Sequence, residues 1–592
     1  MQRRKRFKRV ISGKTAQASQ LYEQIGLSIE ENIFGRFQQM KVVKRFVGGW
    51  VLFWFFLAAV TGLQLSNLSA YFQTIKPIPG GIYNEGILGT LTNVNPIYAT
   101  SEVDTSLSKL IFAGLFSYND QNKLIDDLAS GYTISPSGKV YTINLRPGLR
   151  WQDGRPLTAA DVVYTIQTIQ NPNAQSPQYS SWSGVNVSEI NPTTVRFVLP
   201  NPLASFIYNL TIGIIPEHIL SKIAPSDLRA ALFNTDHPVG AGPFSWHAID
   251  VSGNSPENAE EQIALKPFSD YALGKPKLGE FIVDAYANST QLINSFISGQ
   301  LNAIAGLDQV PAAVRRMPGV QVHSFILTAG DYVFFKTQGD ILSDSSIRQA
   351  LVLGSNPSAI ISQLGYSTIP VTEPILLGQL AFNAKYKQVT NQPIKADTIL
   401  TNDGWNLGVG GYRYKNSQQL SFNMVITDTP ENQLVASLLK KQWKKIGVNL
   451  VIISESAATY TTTIQDHNYD STLDGISIGI DPDVFVYWDS SQYDPRSGGL
   501  NLSEFDVQSA DQALEAGRTR LTPALRVLKY QPFLSDWQKD APALGLYQPR
   551  SIYITKGAVY NLNNQQINSP QDRYDNVQNW EIVRAGVTDS RP

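Results

Sequence analysis

The sequence predicts a mixed α/β protein of several lobes behind a single N-terminal transmembrane helix. Three observations carry this. At 592 residues the chain is too long for one compact core and calls for roughly three or four lobes. Segments of period-two alternation and of helical period are mixed along most of the length, which gives an α/β or α+β class. One run, "FVGGWVLFWFFLAAVTGLQL" at 46–65, holds twenty residues without a charge. At ~1.5 Å per residue that is enough to cross a hydrocarbon core of ~30 Å.

The elements follow in order. Residues 1–45 form a basic tail with eleven Lys/Arg against three Glu. Lys41, Lys44 and Arg45 precede the apolar run, and no Lys or Arg follows it until Lys76. The positive-inside rule therefore puts the tail in the cytoplasm and everything past the span outside, as a single-pass anchor in the cell membrane. A cleaved signal peptide is the competing reading, but its basic region would be unusually long and Leu68 in "LSAY" is not small. Within the tail, Leu21, Ile25, Ile29, Ile33 and Phe37 fall near helical spacing. Residues 66–80 read as a polar tether containing Pro and Gly.

Beyond the tether, "YTISPSGKVYTINL" reads as two strands about a Ser-Pro-Ser-Gly turn. "TAADVVYTIQTIQNP" reads as a helix, with Thr158 as N-cap, Asp161 completing the cap and Asn171-Pro172 ending it. "TTVRFVLP" is another strand. The clearest helix lies in "DTPENQLVASLLKKQWKKIGVNLVII". Thr429 or Asp428 caps it and Pro430 suits its first turn. Leu434, Val435, Leu438, Leu439 and Trp443 make one apolar face, and Gly447 closes the end before a strand. "SDSSIRQALVLGSNPSAII" starts in the same way, with Ser/Asp capping before Ile347, Ala350 and Leu351. No repeat of 20–50 residues is visible, which disfavours propellers and solenoids.

Composition removes several chemistries. There is no cysteine, so disulfides, thiolate metal sites, cysteine nucleophiles and lipid attachment at an N-terminal cysteine are excluded. The five histidines, His218, His237, His247, His323 and His467, form no H-x-x-x-H or H-E-x-x-H spacing, against a dedicated zinc site. No Gly-x-Ser-x-Gly elbow or Walker loop is present, and "GVGGY" at 408–412 reads as a turn. Beyond the tail the chain is acidic, which argues against nucleic acid as a partner. Asp153, in an Asp-Gly dipeptide, and Asp161, in a first helical turn, read as turn and cap rather than a catalytic pair. No catalytic residue, metal or cofactor is expected.

The stretch that holds these two aspartates says more. "DDLASGYTISPSGKVYTINLRPGLRWQDGRPLTAADVVYTI" (126–166) resembles the signature of the family 5 extracellular solute-binding proteins, the dipeptide-, oligopeptide- and nickel-binding components of ABC importers. Other segments match in collinear order: "GTLTNVNPIYATSEVDTSLSKLIFAGLFSYN" (89–119), "PVGAGPFSW" (238–246), "SGQLNAI" (298–304), "IRQALVLGSNPSAII" (347–361), "ILTNDGW" (399–405), "LLKKQWKKIGVNLVI" (438–452) and "APALGLYQPRSIYI" (541–554). The resemblance runs from about Gly81 to the C-terminus.

That resemblance implies a periplasmic-binding-protein-like fold of type II, two mixed α/β lobes around a ligand cleft. Lobe I is expected from 81–116, 237–330 and 545–592, an extra subdomain from 117–236, and lobe II from 331–544. The crossings near "DYVFFK" (331–336) and "LGLYQP" (544–549) would be the hinge. The implied function is that of a monomeric, membrane-anchored receptor, not an enzyme, that captures a peptide-like solute and delivers it to ABC transporter permease subunits. The competing class is a cell-surface sensor or hydrolase reusing the fold.

In peptide-binding members the ligand is held like an added strand. A second-lobe segment, Gly-Trp followed within four residues by Asp, pairs with its free ammonium. The matching segment here is "DGISIGIDPDVF", 474–485. Ile476 stands in place of the Trp, and the acidic position falls on Gly479 or Ile478. Asp481 or Asp483 would restore the charge if the loop is rearranged; Asp481-Pro482-Asp483 is equally a turn. Family position puts Asn95, Ile97 and Tyr98 on the first wall of the cleft. Ser477, Ile478, Gly479, Asp481 and Asp483 fall on the second, with Trp488 just after and Tyr547 by the hinge. For each aromatic, core packing is the competing reading.

Overall fold

The computed structural model describes residues 44–71, 73–494 and 499–588, so the spacing between Leu21 and Phe37 lies outside the described residues. The chain divides into two units. In the first, an α-helix spans Lys44–Tyr71 and carries the apolar window Phe46–Gln64, long enough to cross a membrane. The strand Gln73–Ile78 pairs with Val583–Thr588. The stretch read as a tether is therefore helix and strand. Its pairing partner lies at the other end of the chain, where local pattern gives no sign of it.

The second unit, Ile78–Val583, is built on two main sheets. The first has eight strands in the order Gln566–Ile567, Val320–Leu327, Arg550–Lys556, Ala303–Ala305, Ile82–Leu88, Glu280–Tyr286, Glu260–Pro267 and Phe244–Ser252. Ile82–Leu88 runs parallel to both neighbours, while Val320–Leu327 and Arg550–Lys556 are antiparallel. Tyr83, Ile87, Phe281 and Val283 are fully buried beneath it. A four-stranded antiparallel sheet, Ala129–Ile134, Val140–Leu145, Thr194–Val198 and Asn186–Asn191, stands beside it. Tyr141, Ile143 and Phe197 of that sheet belong to the same continuous core as Phe281 and Val283, so this subdomain is braced by packing rather than hung on a linker.

The second main sheet has five strands, ordered Asn449–Glu455, Ser421–Thr427, Ser471–Ser477, Ala329–Phe335 and Ala543–Tyr547. It is covered on both faces. Val333 and Phe335 enter one core with Trp443 and Leu439. Tyr332 and Phe334, pointing the other way by the two-residue period, enter another with Trp488 and Trp537. The helix Pro430–Lys444 connects two parallel strands of this sheet. Thr429 caps it by accepting the Asn432 N–H, and Val435, Ala436, Leu439 and Trp443 are its buried residues. Leu434, expected on the apolar face, is exposed.

The chain passes between the main sheets twice. The first sheet's strand ends at Leu327 and the second's begins at Ala329, leaving Thr328 as the junction. The return runs from Tyr547 to Arg550 through Gln548 and Pro549. "DYVFFK" and "LGLYQP", near which the hinge is expected, lie mostly inside buried strands, with Thr328 just before the first and Gln548–Pro549 ending the second. Gln548 Nε2 donates to the Leu327 carbonyl at 3.3 Å, tying the two crossings together.

Candidate functional site

Thr328 is held from both sides. Its N–H donates to the Ile567 carbonyl and its hydroxyl to Asn568 Oδ1, while its own carbonyl accepts the N–H groups of Ile478 and Gly479 at 3.0 and 2.9 Å. The left-handed backbone of Gly479, φ 73°, is what lets the strand Ser471–Ser477 turn away after that pairing. The Gly479 carbonyl then accepts Gln379 Nε2 at 2.6 Å and the Ser477 carbonyl accepts the Tyr487 hydroxyl at 2.5 Å. These main-chain groups already have partners within the fold.

Two cavities share lining residues of the subdomain, and the larger reaches this turn. One, of about 1120 Å³, lies between the four-stranded subdomain and the second lobe, with Pro202, Ser205 and Phe206 on one side and Ile478–Asp481, Asp483 and Arg518 on the other. The second, of about 430 Å³, is lined by Pro96, Lys109, Phe112, Asp127, Asp572 and Asp575 among others of the first lobe and subdomain. Tyr118, Ser181, Tyr208 and Asn209 line both, so the two spaces share a floor.

The aspartates of the 474–485 segment are already engaged. Asp481 receives Arg526 in a two-pronged ion pair, Nη1 to Oδ2 at 2.7 Å and Nη2 to Oδ1 at 2.6 Å. Asp483 Oδ2 accepts from Ser205 of the subdomain at 2.8 Å and faces Arg518 Nη2 at 3.1 Å. A further bond, Ala204 N–H to the Arg518 carbonyl at 2.9 Å, joins the same two elements. Both arginines come from helices, Gln508–Thr519 and Pro523–Asp540. Sequence reading missed them because each lies some 35–45 positions from its aspartate, far outside any motif.

On the first-lobe side the charges are not balanced. Lys109 Nζ sits 2.8 Å from Asp575 and 3.4 Å from Asp572. Burial would depress its pKa, but those two acids hold it well above the usual lysine value. Burial raises the Asp575 carboxyl well above the ordinary range, and raises Asp127 to about 7. The Tyr271 hydroxyl donates to Asp127 Oδ2 at 3.3 Å, while Asp127 Oδ1 makes no hydrogen bond among the described residues.

The other expected wall residues fall around this cleft unevenly. Ile478, Gly479, Asp481 and Asp483 line the larger cavity. Asn95, Ile97 and Tyr98 are buried and line neither; their neighbours Pro96 and Ala99 line the smaller one. The Asn95 side chain ties its own loop, accepting the Ile97 N–H and donating to Asn234. Ser477 is turned toward Tyr487 through its carbonyl. Trp488 is fully buried against Tyr332, Phe334 and Trp537, so core packing describes it. Tyr547 is buried with its hydroxyl on Glu431 at 2.9 Å, again away from either cavity. Asp153 and Asp161 line neither space: Asp153 accepts the Arg155 N–H and pairs with His218, and Asp161 bonds the Thr158 N–H. Among the described residues no group of three or more His, Cys, Asp or Glu is placed to hold a metal ion.

The comparisons agree with this architecture. Residues 123–496 match the profile of the bacterial extracellular solute-binding proteins, family 5 middle region. The chain is 23% identical over 543 residues to the oligopeptide-binding protein AppA of Bacillus subtilis (strain 168), covering 89% of this chain and 96% of that one. Among solved structures, AppA from Bacillus subtilis in complex with a nonapeptide superposes with a TM-score of 0.68 at 20% identity, over 86% of this chain and all of that one. NikZ from Campylobacter jejuni in complex with Ni(L-His) gives 0.70 at 23% identity, over 84% and 99%. Those likenesses show the fold: a type II periplasmic-binding architecture of two mixed α/β lobes.

Proposed function

The chain belongs to the family 5 bacterial extracellular solute-binding proteins, and from that premise we propose that it captures a peptide-like solute between its lobes and delivers it to an ABC importer permease. The observation that carries the reading is the cleft itself. A space of about 1120 Å³ with walls from the subdomain and the second lobe suits an extended chain of a few residues. The relative AppA is an oligopeptide-binding protein, which supports a peptide-like solute. Thr328 and Gln548–Pro549 are the points about which the lobes would close, and ligand contact with both walls would favour the closed state.

The apolar helix Phe46–Gln64 is read as a retained anchor with its basic flank in the cytoplasm. It would do the work of a lipid-linked cysteine, which this chain lacks, by keeping the receptor concentrated at its permease. The test is native mass spectrometry of the detergent-solubilised full chain. One co-purifying peptide-like mass per chain supports the proposal. Steady release of cleaved products from such peptides would overturn it in favour of an enzyme.

A further inference from the structure

Resting on the solute-receptor reading, we propose that the first-lobe end of the cleft is a subsite for a cationic nitrogen group of the solute, an ammonium or guanidinium such as a Lys or Arg side chain presents. The observation is a difference in charge between the two cavities. The larger one is lined by the acids Asp481, Asp483 and Glu515 and by Arg518 and Arg520, and Arg526, behind the lining, pairs with Asp481, so its charges balance. In the smaller one Asp127, Asp572 and Asp575 face Lys109 alone. Beyond its lining, Arg146 grips the Asp126 and Asp127 carbonyls and Asp120 acts on Asp575. Those two opposite charges leave the excess of acid unchanged.

Some of that acid is also unsatisfied. Asp575 is 6% exposed and Asp127 2%. Asp575 Oδ2 makes no hydrogen bond or ion pair among the described residues. A buried carboxylate oxygen without a donor is costly, and Asp127 beside it has only the Ser117 and Tyr271 hydroxyls as side-chain donors. Lys109 answers only part of the charge. The three carboxylates are not placed as a metal's ligands, and a lysine ammonium between two of them would repel a metal ion. A nitrogen cation carries several N–H donors on one charge and fits both needs. Tyr118 and Tyr271, which line the same space, carry aromatic rings of the kind that attract such cations.

The subsite explains where charge recognition has gone. The segment 474–485 has Gly479 or Ile478 where the family resemblance implies an acid, and its nearby aspartates are paired with arginines. The opposite wall instead carries acids in excess of its one lysine.

The test is isothermal calorimetry on the full chain in detergent, using a pool of pentapeptides each containing one Arg and a matched pool with Gln in its place. The proposal expects the Arg pool to bind at least tenfold tighter. Asp575→Asn and Asp127→Asn should each erase most of that preference. Equal affinity of the two pools for the unaltered chain overturns the subsite and leaves the receptor reading standing. No binding of either pool overturns both. Because the first comparison uses the unaltered chain, it does not depend on how well either variant folds.

Discussion

Arg526 grips both carboxylate oxygens of Asp481, at 2.7 and 2.6 Å, inside the second lobe. The pair is almost wholly desolvated, with 6% and 9% of the two side chains exposed. Removing one member strands the other, which typically costs ~3–5 kcal/mol. Asp481→Asn is therefore expected to destabilise the second lobe by about 3 kcal/mol, read from denaturant unfolding monitored by tryptophan fluorescence. If Asp481 served instead as a free ligand anchor, the variant would keep its stability and lose only affinity.

A second relationship spans the cleft. Ser205 of the subdomain donates to Asp483 of the second lobe, and the Ala204 N–H donates to the Arg518 carbonyl. A charge-assisted bond of this kind contributes ~1.5–3 kcal/mol. Ser205→Ala should shift the chain toward an open form, weakening solute binding by roughly tenfold, with a larger radius of gyration in solution scattering and little change in melting temperature.

Asp127 gives the pH dependence a sign. Burial is the largest influence and lifts its pKa to about 7, against the opposing effects of Lys109, Tyr271, Arg146 and Ser117. The unfolded carboxyl titrates near ~3.9, so between pH 4 and 7 the folded state holds the extra proton. Stability from this group is complete below pH 4 and falls as pH rises toward 7, by up to ~1.4 kcal/mol per pH unit. Asp127→Asn should flatten that part of the stability–pH curve and make the chain more stable than the unaltered form at pH 8. By the same linkage, a cationic peptide should bind more tightly at pH 8 than at pH 5.

The first lobe is closed by a buried network. Glu85 Oε1 accepts Arg573 Nε and Nη2 at 3.0 and 2.7 Å and the Tyr574 hydroxyl at 2.6 Å, while Oε2 accepts the Tyr553 hydroxyl at 2.7 Å. Glu85 and Arg573 are 0% and 1% exposed. The network binds an early strand to the C-terminal segment, so Glu85→Ala is expected to cost about 3–5 kcal/mol. A thermal melt of that variant should show the loss without a change in solute selectivity.

What the sequence made legible was local. The helix Ala159–Ile169 follows from its cap, and the Thr158 N–H does donate to Asp161 Oδ2 at 2.9 Å. The Asp153 turn is equally local, with Arg155 N–H on Oδ1 at 3.0 Å. The rest depended on distance along the chain. Ala436 displaces Leu434 from the buried face of its helix because neighbouring elements, not the helix alone, select the face. Trp488 went to the core because nothing in its own segment says how near Tyr332 and Trp537 lie. Arg518, Arg526 and Asp575 were invisible as site residues for the same reason: each acquires its meaning from a partner in another element.

The central claim is that solute binds between the lobes against both walls. Hydrogen exchange of the full chain, with and without saturating pentapeptide pool, tests it most directly. Slowed exchange confined to 109–118, 205–213 and 478–486 is the predicted result. Protection elsewhere, or unchanged exchange in those segments at saturation, would contradict it.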